Sequence, residues 1–259
     1  MSKLVKTAVV TFVTLFANTF AIAQDTKPQG SDCPATCKEQ TKCCGDFKVN
    51  FTEQVSIFNF ESGIITKWNS NLNFKVDENI DVDVSLPIFN NNSFDNSTGL
   101  GDVNVDFIYK KALDVLGLSV DLVGGVGLPL DGEYSSSDTT FSGGAVFKFD
   151  WEAIDFSQSV KYTLVNDYTY MPIFGGFVSD NVFTLETDVK YNVSDKFALV
   201  GNFDQYYTDD QSIMTVGPSV TYKFSHDVAL NAGVGFAVSE DLDFEDMDTV
   251  TSFGVAFKF

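Results

Sequence analysis

From Phe47 to the last residue, apolar and polar side chains alternate with a period of two, over stretches too long for an ordinary soluble sheet. In "FTLETDVKYNV", Phe183, Leu185, Val189, Tyr191 and Val193 point one way, while Thr184, Glu186, Asp188, Lys190 and Asn192 point the other. The same period runs through "IDVDVSLPI", "VNVDFIYK", "LGLSVDLVGGVGLPL", "FSGGAVFKFDW", "VGPSVTYKF", "VALNAGVGFAV" and the final "TSFGVAFKF". With less regular stretches near 47–60, 64–76, 154–166 and 197–207, the count reaches twelve strands. Tilted strands of about 9–11 residues cross the hydrocarbon of a bilayer, whereas strands of soluble sheets cluster near five or six.

The connections sort into two kinds. Short ones fall at 77–79, 111–114, 152–153, 194–196 and 225–227; between them lie mostly longer ones at 90–101, 131–140, 167–181, 208–213 and 239–249. Tight turns on one side and free loops on the other are the habit of outer-membrane barrels. Tyr109, Trp151, Tyr191, Tyr222, Phe224 and Phe259 gather at the predicted periplasmic ends, as an interfacial girdle would. The predicted fold is therefore an all-β, transmembrane antiparallel barrel of about twelve strands, in preference to a secreted sandwich. The first strand fits least well: its phase shifts from Val55 and Ile57 to Phe58 and Phe60, for which a bulge would account.

The first 23 residues, with Lys3 and Lys6, a short apolar run and Ala21-Ile22-Ala23, read as a cleaved secretory signal rather than a spanning helix. Residues 24–46 form a lead-in, expected on the periplasmic side, that holds all four cysteines; residues 47–259 form the barrel. Export of Cys33, Cys37, Cys43 and Cys44 predicts two disulfides, a bridge between the adjacent Cys43 and Cys44 being the least favoured. A soft-metal site is the weaker alternative, because no histidine is near and no familiar zinc spacing is present. Neither a metal nor a cofactor is expected.

The chain has 36 acidic against 16 basic residues, a net charge of -20, and no arginine. On charge, nucleic acid is not expected as a partner; without arginine, bidentate recognition of phosphate or carboxylate is excluded, while lysines could still hold an anion as point charges. The polar faces of the strands predict a lumen lined by Lys67, Lys75, Lys110, Lys148, Lys161, Lys190 and Lys223, with Asp81, Asp83, Asp102, Asp106, Asp121, Glu186, Asp188 and Asp204. Lys258, Asp150 complete the set. Such charges can knit a plugged interior, but glycines and alanines on two walls leave space for a narrow polar passage. Without rows of arginine, a passage of the acidic-sugar porin kind is disfavoured, and cations or neutral solutes are favoured.

Two outer loops stand out. The stretch "DYTYMPIFGGFVSDN" exposes Tyr168, Tyr170, Met171, Phe174 and Phe177, which would fold onto the barrel mouth and pack there, or hold an apolar ligand. The stretch "SEDLDFEDMDT" is a solvated acidic loop in preference to a calcium site, lacking the glycine of an EF-hand. Enzymatic chemistry is not expected: the sole histidine, His226, sits in a tight turn at the predicted periplasmic end, so a Ser-His hydrolase would lack its base at the lipid-facing wall.

At "GLGDVNVDFIYK" and "GVGLPLDG", Gly99, Gly101 and Asp102 open a strand ending in Tyr109-Lys110, and a second strand closes in Leu128-Pro129 before Gly132. These residues resemble the transporter family of the phenol meta-cleavage (MetA) pathway, over about residues 60–150. The resemblance implies a porin-like outer-membrane barrel of a Gram-negative envelope, passing small hydrophobic or aromatic solutes. The cysteine lead-in and the lack of arginine depart from the family's usual form. The partners expected are outer-membrane lipid and lipopolysaccharide, the barrel assembly machinery through the C-terminal Phe259, and a small-molecule solute. A closed barrel acting in envelope structure or adhesion through its acidic loops is the alternative.

Overall fold

The computed structural model describes residues 48–61, 63–92, 97–115, 117–209, 211–238 and 247–259. The four cysteines, the expected signal sequence and most of the acidic 239–249 loop lie outside these residues. Twelve long strands are present: β1 (Lys48–Phe60), β2 (Gly63–Lys75), β3 (Ile80–Asn91), β5 (Val103–Val115), β6 (Leu118–Leu128), β7 (Thr140–Trp151), β8 (Ile154–Leu164), β11 (Val182–Asn192), β12 (Phe197–Tyr207), β13 (Ser212–Lys223), β14 (Val228–Ala237) and β15 (Met247–Lys258). Three short strands decorate the long-loop end: β4 (Ser97–Leu100) pairs with β3, and β9 (Thr169–Met171) with β10 (Gly176–Val178).

Each long strand is antiparallel to its neighbour in sequence, and the ring closes where β1 meets β15, from Asn50 opposite Lys258 to Phe60 opposite Met247. The result is a closed twelve-stranded antiparallel barrel of the outer-membrane type, with no free edge in the ring.

The alternation decides the faces. Phe107, Leu122, Phe141, Val189, Phe236 and Phe253 are exposed on the outer wall, while Asp81 and Asp121 are buried within. An apolar exterior over a polar interior inverts the soluble pattern and suits a surround of lipid. Tyr109, Trp151, Tyr191, Tyr222, Phe224 and Phe259 are all exposed at the end that carries the short turns. Among the described residues no helix is long and apolar enough to cross a membrane.

The first strand departs from expectation in an informative way. Its pairing with β2 is unbroken from Lys48 to Phe60, so no bulge separates Ile57 from Phe58. The register slips only against β15, at Asn59/Phe60. Phe58 and Phe60 stand on the inward face that Gln54 and Ser56 share, and what shifts is the apolar pattern, because both rings are buried in an apolar cluster inside.

Candidate functional site: a stoppered mouth above a charged interior

The chain between β8 and β11 turns into the barrel instead of away from it. Val165 donates its N–H to Asn181 Oδ1 at 3.0 Å, pinching the two ends of the loop together. A single turn of 3-10 helix, Pro172–Phe174, joins β9 to β10 and is buried throughout. It ends at Gly175, whose φ of 74° is left-handed and whose N–H returns to Pro172 O at 3.1 Å. A Cβ at Gly175 would stand 3.3 Å from the Phe60 ring, so glycine answers both the conformation and the close approach.

Ile173, Phe174 and Val178 pack with Phe58 and Phe60 of β1, Ile65 of β2, Val182 of β11, Ile213 of β13 and Met247 of β15. Because β2 and β11 lie on opposite sides of the ring, this cluster reaches from wall to wall. It forms an apolar stopper at the long-loop end.

Tyr170 leaves the same loop in the other direction. Its ring centroid lies 4.8 Å from Phe89 and 4.6 Å from Tyr134. The trio is buried, and burial pushes the Tyr170 hydroxyl well above its ordinary pKa. Phe177 touches Tyr170 on one side and Tyr168 on the other, at 5.1 and 5.2 Å, and both Phe177 and Tyr168 remain exposed. Of the five aromatic and sulfur residues singled out in this loop, Tyr170 and Phe174 are therefore buried, Met171 is packed against the stopper, and Tyr168 and Phe177 form an external ledge.

Beneath the stopper the inward side chains are charged. Lys110 pairs with Asp81, and Asn73 donates to both Asp83 and Asp81. Lys148 meets Asp121 at 2.6 Å, and Asp121 also accepts from the Lys111 N–H at 2.8 Å. Lys190 and Asn192 both donate to Asp155, at 2.7 and 2.9 Å. Lys161 on β8 reaches Asp106 on β5 at 3.1 Å, passing over β6 and β7; only an enclosed interior allows that reach. Gly125 makes it possible, since a Cβ there would lie 1.9 Å from Asp106 Oδ1.

Farther round the ring, acids outnumber bases. Tyr206 donates to Glu186, Thr215 donates to Asp204, and Asn202 donates to Asp188 at 2.6 Å. Lys67, from the opposite wall, is within electrostatic reach of Glu186. Glu186 nonetheless keeps accessible surface inside the barrel. Lys75 stands opposite Asp81 in the β2–β3 register, and Lys223 is exposed near the short-turn rim. Asp102 is apart from all of these. It is buried and accepts from Ser135 Oγ at 2.7 Å and from the Ser136 N–H at 2.8 Å, anchoring the loop between β6 and β7.

Sequence reasoning passed over Phe58, Phe60 and Ile65 as stopper residues, and Asp155 as the partner of Lys190. The phase shift in β1 was the available signal for the first two. Nothing in the irregular β8 pattern marked Asp155. His226 is exposed, with Nδ1 2.8 Å from Asp227 Oδ1.

A closed barrel, a stoppered outer mouth and a charged interior define a class of protein, the small outer-membrane-type β-barrel. Within it, residues 23–259 match the family described as "Putative MetA-pathway of phenol degradation", and the chain belongs to that family. Solved structures share the fold. The NanC porin is 14% identical with a TM-score of 0.61, the match covering 81% of this chain and 100% of that one. The COG4313 outer membrane channel from Pseudomonas putida F1 is 11% identical with a TM-score of 0.59, covering 82% and 95%. The KdgM porin is 10% identical with a TM-score of 0.56, covering 81% and 99%. No curated protein matches the chain.

Proposed function

We propose that this protein is an outer-membrane channel for small neutral, hydrophobic or aromatic solutes, exported by a cleaved signal sequence. The observation that carries the reading is the apolar stopper of Ile173, Phe174, Phe58, Phe60 and Ile65 set directly above a charged interior. A solute able to replace those contacts leaves the stopper without exposing it to water, whereas a charged one does not. The exposed Tyr168–Phe177 ledge offers such a solute its first contact. Membership of a family described by phenol degradation, and a fold shared with porins and a channel, support the same reading.

The KdgM porin has been seen in complex with oligogalacturonate. That acidic ligand does not carry over, because this interior holds no arginine and the chain's net charge is -20. The wall-to-wall stopper itself favours a second reading, a closed barrel working through its surface loops.

Liposome swelling separates the two. Wild-type barrels should admit small neutral solutes above the empty-liposome control, and the double variant Ile173→Ala/Phe174→Ala should admit larger ones. Deleting residues 168–178 should abolish any preference for apolar solutes. If wild type and double variant are both impermeable, the channel reading is lost and the closed barrel stands.

A further inference from the structure

Glu53 sits on the wrong side of the wall. It pairs with Ser70 of β2 and Val255 of β15, so it shares the outer face with Val55, Phe253 and Trp68. Away from the rims it is the one charged side chain at the outward-facing strand positions described. A carboxylate turned toward hydrocarbon is costly, and this one is aimed: Trp68 Nε1 donates to Oε2 at 2.8 Å and Ser70 Oγ to Oε1 at 2.8 Å.

Beside it runs a groove. One rung of outward side chains crosses five strands, from Val220 through Ala232, Phe253 and Val55 to Trp68. The next rung runs from Tyr222 to Glu53. Ala232, small between large neighbours, lowers the floor, and the groove holds about 520 Å³ with an almost wholly apolar lining. Glu53 lies toward the end where Phe259 donates its N–H to Val49 O at 2.9 Å, which is the end of the short turns. By the rule for such barrels that end faces the periplasm.

We infer that this groove is a binding site for an amine-bearing phospholipid of the inner leaflet, with acyl carbons on the apolar floor and the ammonium on Glu53. Charge complementarity selects the occupant. No lysine faces outward between the rims among the described residues, so a second copy of this chain would set carboxylate against carboxylate. An ammonium supplies both the opposite charge and N–H donors to the lone pairs that Trp68 and Ser70 leave free.

The test is native mass spectrometry of the detergent-purified barrel titrated with phosphatidylethanolamine, phosphatidylcholine and phosphatidylglycerol of identical acyl chains. Wild type should retain phosphatidylethanolamine about three-fold better than the other two, as a partly exposed ion pair would give. Glu53→Gln should level the three. Ala232→Trp, which fills the floor and leaves Glu53 in place, should lower retention of all of them. Folding of each variant is checked by its heat-modifiable mobility on gels, and the Ala232→Trp arm serves if Glu53→Gln does not fold. Equal retention of the three lipids by wild type, an unchanged preference in the folded Glu53→Gln protein, or undiminished retention in Ala232→Trp overturns the site. So does a two-chain species in place of lipid adducts.

Discussion

Asp102 belongs to a short motif visible in the sequence, yet its partners are not. Gly99, Gly101 and Asp102 read as a turn leading into a strand, and two of the three roles are steric. A Cβ on Gly101 would lie 2.6 Å from the Phe89 ring, and one on Gly99 would lie 3.0 Å from Tyr134. The aspartate holds two serines more than thirty residues away, which no local pattern announces. Replacing Asp102 by Ala should strand the Ser136 N–H and the Ser135 hydroxyl and cost about 1–3 kcal/mol. Asp102→Asn, which keeps an acceptor oxygen, should recover much of that loss. Denaturant midpoints in detergent, with hydrogen exchange over residues 129–139, check both; equal midpoints for Ala and wild type would remove the anchor. Lys161 and Asp106 make the same point. Each was legible as an inward charge, but their meeting depended on Gly125 leaving room, a fact of three strands at once.

Among the elements, β1 shows why strand pattern and strand role can part. Twelve strands and their faces were readable because lipid outside and polar groups inside impose one period on nearly every segment. Where apolar groups are wanted on both faces, as from Ile57 to Phe60, the period breaks and a bulge is the natural but wrong explanation. The loop between β8 and β11 was readable as apolar enough to fold back. The wall residues that receive it were not, since they come from five strands scattered along the chain. Gly175 is the hinge point of that loop. Gly175→Val should cost on the order of 1–2 kcal/mol locally, through its positive φ and its approach to Phe60. Hydrogen exchange should quicken across residues 165–181 while the barrel strands keep wild-type protection. Unchanged protection in that loop would mean the stopper is held by packing alone.

Seen whole, the molecule carries its charge unevenly between bulk and interior. Four interior lysines are matched one to one by Asp81, Asp121, Asp106 and Asp155. Glu186, Asp188 and Asp204 gather where, among the described residues, Lys67 and the already paired Lys161 are the cations within electrostatic reach of Glu186. With a chain of net charge -20 behind it, any ion path through this barrel should prefer cations. A reversal potential measured across a planar bilayer under a salt gradient should have the cation-selective sign, and Glu186→Gln with Asp204→Asn should weaken it. Chloride selectivity would contradict the assignment of the acidic side chains to the pathway. The seam has a consequence in time as well as in space. Because β1 hydrogen-bonds to β15, with the Phe259 N–H donating to Val49 O, the ring cannot shut until β15 has been delivered to its partner. Every earlier stage leaves two raw strand edges unpaired, so closure of the barrel waits on that one pairing between the ends of the ring.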